Sequence, residues 1–122
     1  MASFSRFEID DMFCTFVNRM LVLRLINSGK SNLSDKQDVI VQEAYNLAYL
    51  IVEYAVQKQN IHLLERTQKL AQELVPGEQI KNVMKRPELY DNMVKAKEDF
   101  NLDVQNLIAR YRATLDFRKY NR

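Results

Sequence analysis

Residues 87–120 read PELYDNMVKAKEDFNLDVQNLIARYRATLDFRKY, a stretch with no glycine and no proline after its first residue. Tyr90, Met93, Lys97, Phe100, Val104, Leu107, Tyr111 and Thr114 follow one another in alternating steps of three and four, with only Lys97 and Thr114 breaking the apolar character. That spacing predicts one long amphipathic helix with Pro87 in its first turn, where the missing amide hydrogen costs nothing. Leu89, Ala96, Ile108 and Leu115 widen the stripe, which suits packing on a bundle better than a narrow two-stranded seam. At about 1.5 Å per residue such a helix runs about 50 Å. It is expected to outrun its neighbours and project from the domain.

Upstream, Pro76-Gly77 is the strongest breaker in the chain. Between it and Pro87, Glu78 to Lys85 have room for one or two helical turns using Ile80, Val83 and Met84. Ser5-Arg6-Phe7-Glu8 fits a capping box, so a first helix starts there. Its stripe is Ile9, Met12, Phe13, Phe16, Val17 and Met20, after which Leu21, Val22, Leu23, Leu25 and Ile26 surround a single Arg24. Asn27-Ser28-Gly29 ends it, Gly29 being free to take the left-handed conformation. Ser34-Asp35-Lys36-Gln37 reads as a second capping box. The helix behind it shows Ile40, Ala44, Leu47, Ala48, Ile51 and Ala55 on one side and Val41, Tyr45, Tyr49, Val52 and Val56 beside them, so it belongs in the middle of the fold. Past Lys58, Asn60 is placed to cap a shorter helix with Leu63, Leu64, Thr67, Leu70, Ala71 and Leu74 inward. No glycine or proline marks that turn, which leaves one bent helix over 35–75 as the alternative.

A chain of 122 residues with two glycines and two prolines has too few turn residues for a β-rich fold. It is long enough to bury about two-thirds of its unfolded surface as a single domain. The expected fold is all-α, a bundle of four or five helices over residues 1–122, the long C-terminal one covering 87–120. Residues 45–76 loosely resemble one tetratricopeptide unit, with Ala71, Leu74 and Pro76 where that family places alanine, leucine and proline. Val52 and Leu64 are larger than the motif wants, and no second copy follows. The resemblance implies a pair of short helices and no function.

Most site chemistries lack their residues. The single cysteine, Cys14, excludes an intramolecular disulfide and, with no signal-peptide pattern in Met1-Ala2-Ser3-Phe4-Ser5, gives a cytoplasmic expectation. Val39 to Val56 is the most apolar window, but Gln42, Glu43, Asn46 and Glu53 interrupt it, so no membrane association is expected. Cys14 adjoins Phe13 and is expected to be a buried, inert thiol. His62, the only histidine, reads as a solvated or packing residue, and one Cys with one His cannot build a zinc site. Asp10-Asp11 and Glu98-Asp99 are adjacent on helices, where neighbours point about 100° apart, so neither forms a carboxylate pair. No phosphate-binding glycine loop is present. The expectation is a non-enzyme without metal or cofactor.

The net charge of +2 conceals a basic end, with Arg110, Arg112, Arg118, Lys119 and Arg122 against Asp116 alone. Interleaved with Tyr111, Phe117 and Tyr120, these cations offer phosphate neutralisation beside stacking faces. Residues 110–112, 117–120 and 122 are the candidate partner-binding set. The expected function is a small helical protein-binding module (an adaptor, inhibitor, immunity protein or assembly subunit), and the alternative is a nucleic-acid-associated subunit using the basic end. A homo-oligomer is also expected, most simply a dimer through the long helix or the apolar faces of the first two. Its candidate interface comprises Leu21, Val22, Leu25, Tyr45, Tyr49, Val52, Phe100 and Leu107. If the basic end serves a partner, deleting residues 117–122 leaves helicity and melting almost intact and weakens partner binding, and replacing Arg118, Lys119 and Arg122 together by glutamine removes the charge while keeping hydrogen-bonding capacity. Unchanged affinity and salt dependence in that variant would exclude the basic end.

Overall fold

The computed structural model of the chain describes residues 4–30 and 32–112. Four α-helices run in the order α1 (Arg6–Asn27), α2 (Gln37–Gln57), α3 (Ile61–Gln72) and α4 (Leu89–Tyr111), with 3-10 turns at Ser34–Lys36 and Glu78–Asn82. Among the described residues there is no strand, and the chain folds as the all-α bundle expected. No helix there is long and apolar enough to cross a membrane.

Local sequence fixes most of the ends. The Ser5 hydroxyl accepts from the Glu8 amide while the Glu8 carboxylate accepts from the Ser5 amide, each at 3.2 Å, satisfying two otherwise orphaned donors of α1. At its other end Gly29 takes φ +76°, and the amides of Gly29 and Lys30 reach back to the carbonyls of Ile26 and Leu25 at 3.0 and 2.8 Å. This paired arrangement closes the last turn. The same motif ends α2, but Gln59, at φ 55°, fills the left-handed position, and the amides of Gln59 and Asn60 bond to Val56 and Ala55. Asn60 then caps α3 by accepting from the Leu63 amide at 3.1 Å. The segment 35–75 is therefore two helices.

Two expectations about helix limits change. Ser34 opens a 3-10 turn rather than capping α2, because Gln37 is buried and its side-chain amide donates to Asn27 across the α1–α2 connection. The long helix begins at Leu89, after a turn in which the amides of Leu89 and Tyr90 bond to Arg86 and Pro87. Its 23 described residues span about 35 Å, much like the 22 of α1 and the 21 of α2. From Leu89 to Leu107 it is docked at every turn on the core. The expected continuation to 120 lies outside the described residues.

α2 is the centre. It packs on each of the other three helices far more than these pack on one another. The Arg19–Glu43 pair at 3.3 Å and the Gln37–Asn27 bond set α1 antiparallel to α2. Asn92 reaches Asp38 at 3.0 Å and the Tyr45 ring meets Phe100, so α4 runs parallel to α2 on another side. α3 returns along α2 and receives the Tyr45 hydroxyl at the Ala71 carbonyl, 3.0 Å away. Ala44, Ala48 and Ala55 are completely or almost completely buried. Their small side chains let neighbouring helices approach, while Tyr45, Ile51 and Val52 fill the space between them.

Thr67 in α3 is fully buried, and its hydroxyl has no hydrogen-bond partner among the described residues. A buried hydroxyl without a partner costs on the order of 1 kcal/mol or more. Thr67→Val keeps the shape and removes the polar atom, so it is expected to raise unfolding stability by about 1 kcal/mol. Urea denaturation of the two proteins measures this directly.

Candidate protein-docking groove

The expected interface residues divide sharply. Tyr45, Val52, Phe100 and Leu107 belong to the core, none more than 3% exposed, and so form no exposed face for a second copy of the chain. Helical spacing shows them as apolar sides, but α2 and its neighbours bury Tyr45 and Val52 from within the chain, and α4 buries Phe100 and Leu107 by packing on α2. Val22 and Tyr49 are half-buried, whereas Leu21 and Leu25 are exposed. Cys14 is also exposed, contrary to the expected buried thiol, because position 14 falls on the side of α1 away from Phe16. Of the basic set, Arg110 and Arg112 are exposed and Tyr111 packs partly on the core. Phe117, Arg118, Lys119, Tyr120 and Arg122 lie outside the described residues.

Where α2 and α4 run side by side, their surfaces part to leave a groove of about 300 Å³. Tyr45 and Phe100 form its aromatic floor, their rings 5.0 Å apart and tilted by 36°, and Ala96 leaves the space open. Gln42, Asn46, Tyr49 and Leu50 line the α2 side. The Gln42 side-chain amide donates to Asn46 at 3.0 Å, which fixes that polar edge. Asp99 and Asp103 line the α4 side. They lie four residues apart on one face of the helix, exposed, and no cation lines the groove among the described residues. Neither carboxylate has an ion-pair partner among the described residues. The sequence carries a signal for this lip, two aspartates at i and i+4 beside Ala96 and Phe100, but it becomes visible only once α2 is known to run parallel to α4.

Two further concavities differ in character. One of about 350 Å³ lies between the end of α1 and the segment before α4, with Ile26, Ile80 and Val83 beside Lys85 and Arg86. Arg86 donates to Glu88 at 2.9 Å, and that bond holds the Glu88 carboxyl below its usual range, so the guanidinium is already engaged. The other, near the start of α1 and the α2–α3 turn, mixes Arg6, Asp10, Lys58 and His62 over an open surface. No group of three metal-ligating side chains occurs among the described residues. No family model, curated protein or solved structure matches the chain.

Burial pushes the Tyr45 phenol well above its ordinary 10.0. The groove floor therefore keeps its proton, and its bond to Ala71, throughout the physiological range. Between the ordinary and the raised value the native state holds one proton more than the unfolded chain. The stabilisation is thus fully present below about pH 10 and declines as pH rises above it. Tyr45→Phe is expected to lose about 1 kcal/mol at neutral pH through the missing hydrogen bond. It should also flatten the fall in stability above pH 10, as read from urea midpoints of both proteins across pH 7–11.

Proposed function

We propose that the protein is a non-catalytic helical module that binds another protein, and that the α2–α4 groove receives a partner segment carrying basic side chains beside an apolar anchor. The makeup of the groove carries this reading: an aromatic floor, an amide edge fixed by Gln42 and Asn46, and two unpaired carboxylates with no cation among the lining residues. Tyr49 and Leu50, half-buried on the α2 side, offer the apolar contact area above that floor. Asp99 and Asp103 attract a basic segment and repel an acidic one, which gives specificity and speeds encounter. Such a module serves as an adaptor, inhibitor, immunity protein or assembly subunit, working in the cytoplasm.

The alternative, a nucleic-acid-associated subunit, draws its support from the basic sequence beyond Leu107, of which Arg110 and Arg112 are exposed at the end of α4. On the same helix Glu98, Asp99 and Asp103 are exposed as well, and phosphate is disfavoured beside them.

Affinity capture from the native lysate separates the two, using the wild-type chain and an Asp99→Lys, Asp103→Lys variant, each with and without nuclease. Both positions are exposed, so the variant keeps its helicity by circular dichroism. The wild type is expected to recover one protein with or without nuclease, and the variant to recover at least roughly tenfold less. Equal recovery by the variant would move the docking site elsewhere. Capture that disappears with nuclease and falls steeply with salt would transfer the function to nucleic acid.

A further inference from the structure

The face of α1 that points away from the bundle carries its own heptad. Phe7, Asp11, Cys14, Asn18, Leu21 and Leu25 follow one another in steps of four and three, and all six are exposed. Phe7 is 75% exposed, Leu21 48% and Leu25 46%, the largest apolar outlay on any one helix face among the described residues. Asp10, Val17 and Arg24 flank this seam along one edge. Arg24 meets Glu73 within the chain at 3.8 Å, with both side chains well exposed.

We infer that this face pairs with the same face of a second copy, the two α1 helices running antiparallel across a two-fold axis centred between Cys14 and Asn18. The self-complementarity of the seam identifies the partner. In that register the core layers set Phe7 against Leu25 of the other copy, Cys14 against Asn18, and Leu21 against Asp11, each occurring twice by symmetry. Along the flank, Asp10 faces Arg24 of the other copy, Arg24 faces Asp10, and Val17 meets itself on the axis. Antiparallel pairs are flanked by like positions in this way, and the charges alternate as attraction requires. A parallel pair would place Asp11 on Asp11 in the seam and leave Asp10 and Arg24 without each other, a like-charge cost with no compensating pair. The surface is separate from the α2–α4 groove, since α1 and α4 flank α2 on different sides.

Asp11 and Asn18 dilute the apolar seam, so association is expected in the micromolar range. Sedimentation of the full chain under reducing conditions, up to about 100 μM, should show the mass rising twofold from 14.4 kDa. Leu21→Lys with Leu25→Lys changes two exposed side chains, should leave helicity intact, and should hold the mass at the monomer value. Asp10→Arg should weaken the dimer, and adding Arg24→Asp should restore it, because the exchanged charges face one another again. Geometry is read by oxidation. Asn18→Cys sets a thiol level with Cys14 of the other copy and should give a covalent dimer on a non-reducing gel. The wild-type Cys14 pair, offset along the axis by four residues or about 6 Å besides the interhelix gap, exceeds disulfide reach and should give none. A strictly monomeric wild type, a dimer insensitive to the two lysines, or efficient cross-linking through Cys14 alone would each overturn the inference.

Discussion

The burial of α2 between α1, α3 and α4 is the constraint on which the other features of the molecule depend. A helix with apolar side chains over so much of its circumference cannot sit alone at a surface, and here the three neighbours bury its apolar positions from Ile40 to Val56 while Gln42, Glu43 and Asn46 stay exposed. Tyr45 concentrates the arrangement in one side chain. Its ring packs on Phe100 of α4, its hydroxyl is committed to the Ala71 carbonyl of α3, and its burial keeps it neutral. Small residues do the complementary work, since Ala44, Ala48 and Ala55 admit the neighbours that Tyr45, Ile51 and Val52 then fill against.

That centre leaves two unpartnered surfaces among the described residues, on which the proposed binding and pairing rest. They are the edge where α2 and α4 part and the outward face of α1. The two surfaces have different chemistry, acidic lip over aromatic floor in one and apolar heptad with mixed flanking charge in the other. A dimer formed through α1 would leave both grooves open. The single cysteine lies on the outward face of α1, and the solitary histidine lines the open concavity near the α2–α3 turn with Arg6, Asp10 and Lys58.

Much of the fold was legible because helix ends in this chain are written in side chains. Ser5 with Glu8, Gly29, and Asn60 each act where their chemistry places them, and the two-sided pattern of α2 correctly marks it as central. The α2–α3 turn was ambiguous for a physical reason. Gln59 accepts a left-handed backbone that sequence rules reserve for glycine, and only the closing bonds to Ala55 and Val56 reveal the break. Gln37 departs from the capping-box pattern for a similar reason, since its buried bond to Asn27 is a tertiary contact that no local pattern contains. The candidate site was less legible than the fold. Periodicity tells that Tyr45, Val52, Phe100 and Leu107 want burial, but not whether the same chain or another molecule provides it. The groove depends on the parallel pairing of α2 with α4, a property of topology rather than of any stretch of sequence. Cys14 and Leu25, by contrast, lie outward simply because their positions oppose Phe16, which a helical wheel of α1 already contains.

Native-state hydrogen exchange resolved by residue tests the central place of α2 most directly. If α2 organises the molecule, its amides from Ala44 to Val56 exchange only through global unfolding, with the free energy obtained independently from denaturation. Those of α1 and α4, each docked on α2 along one face, then open at lower cost. Amides of α1 or α4 that outlast those of α2, or an α2 that exchanges while its neighbours remain protected, would contradict the account.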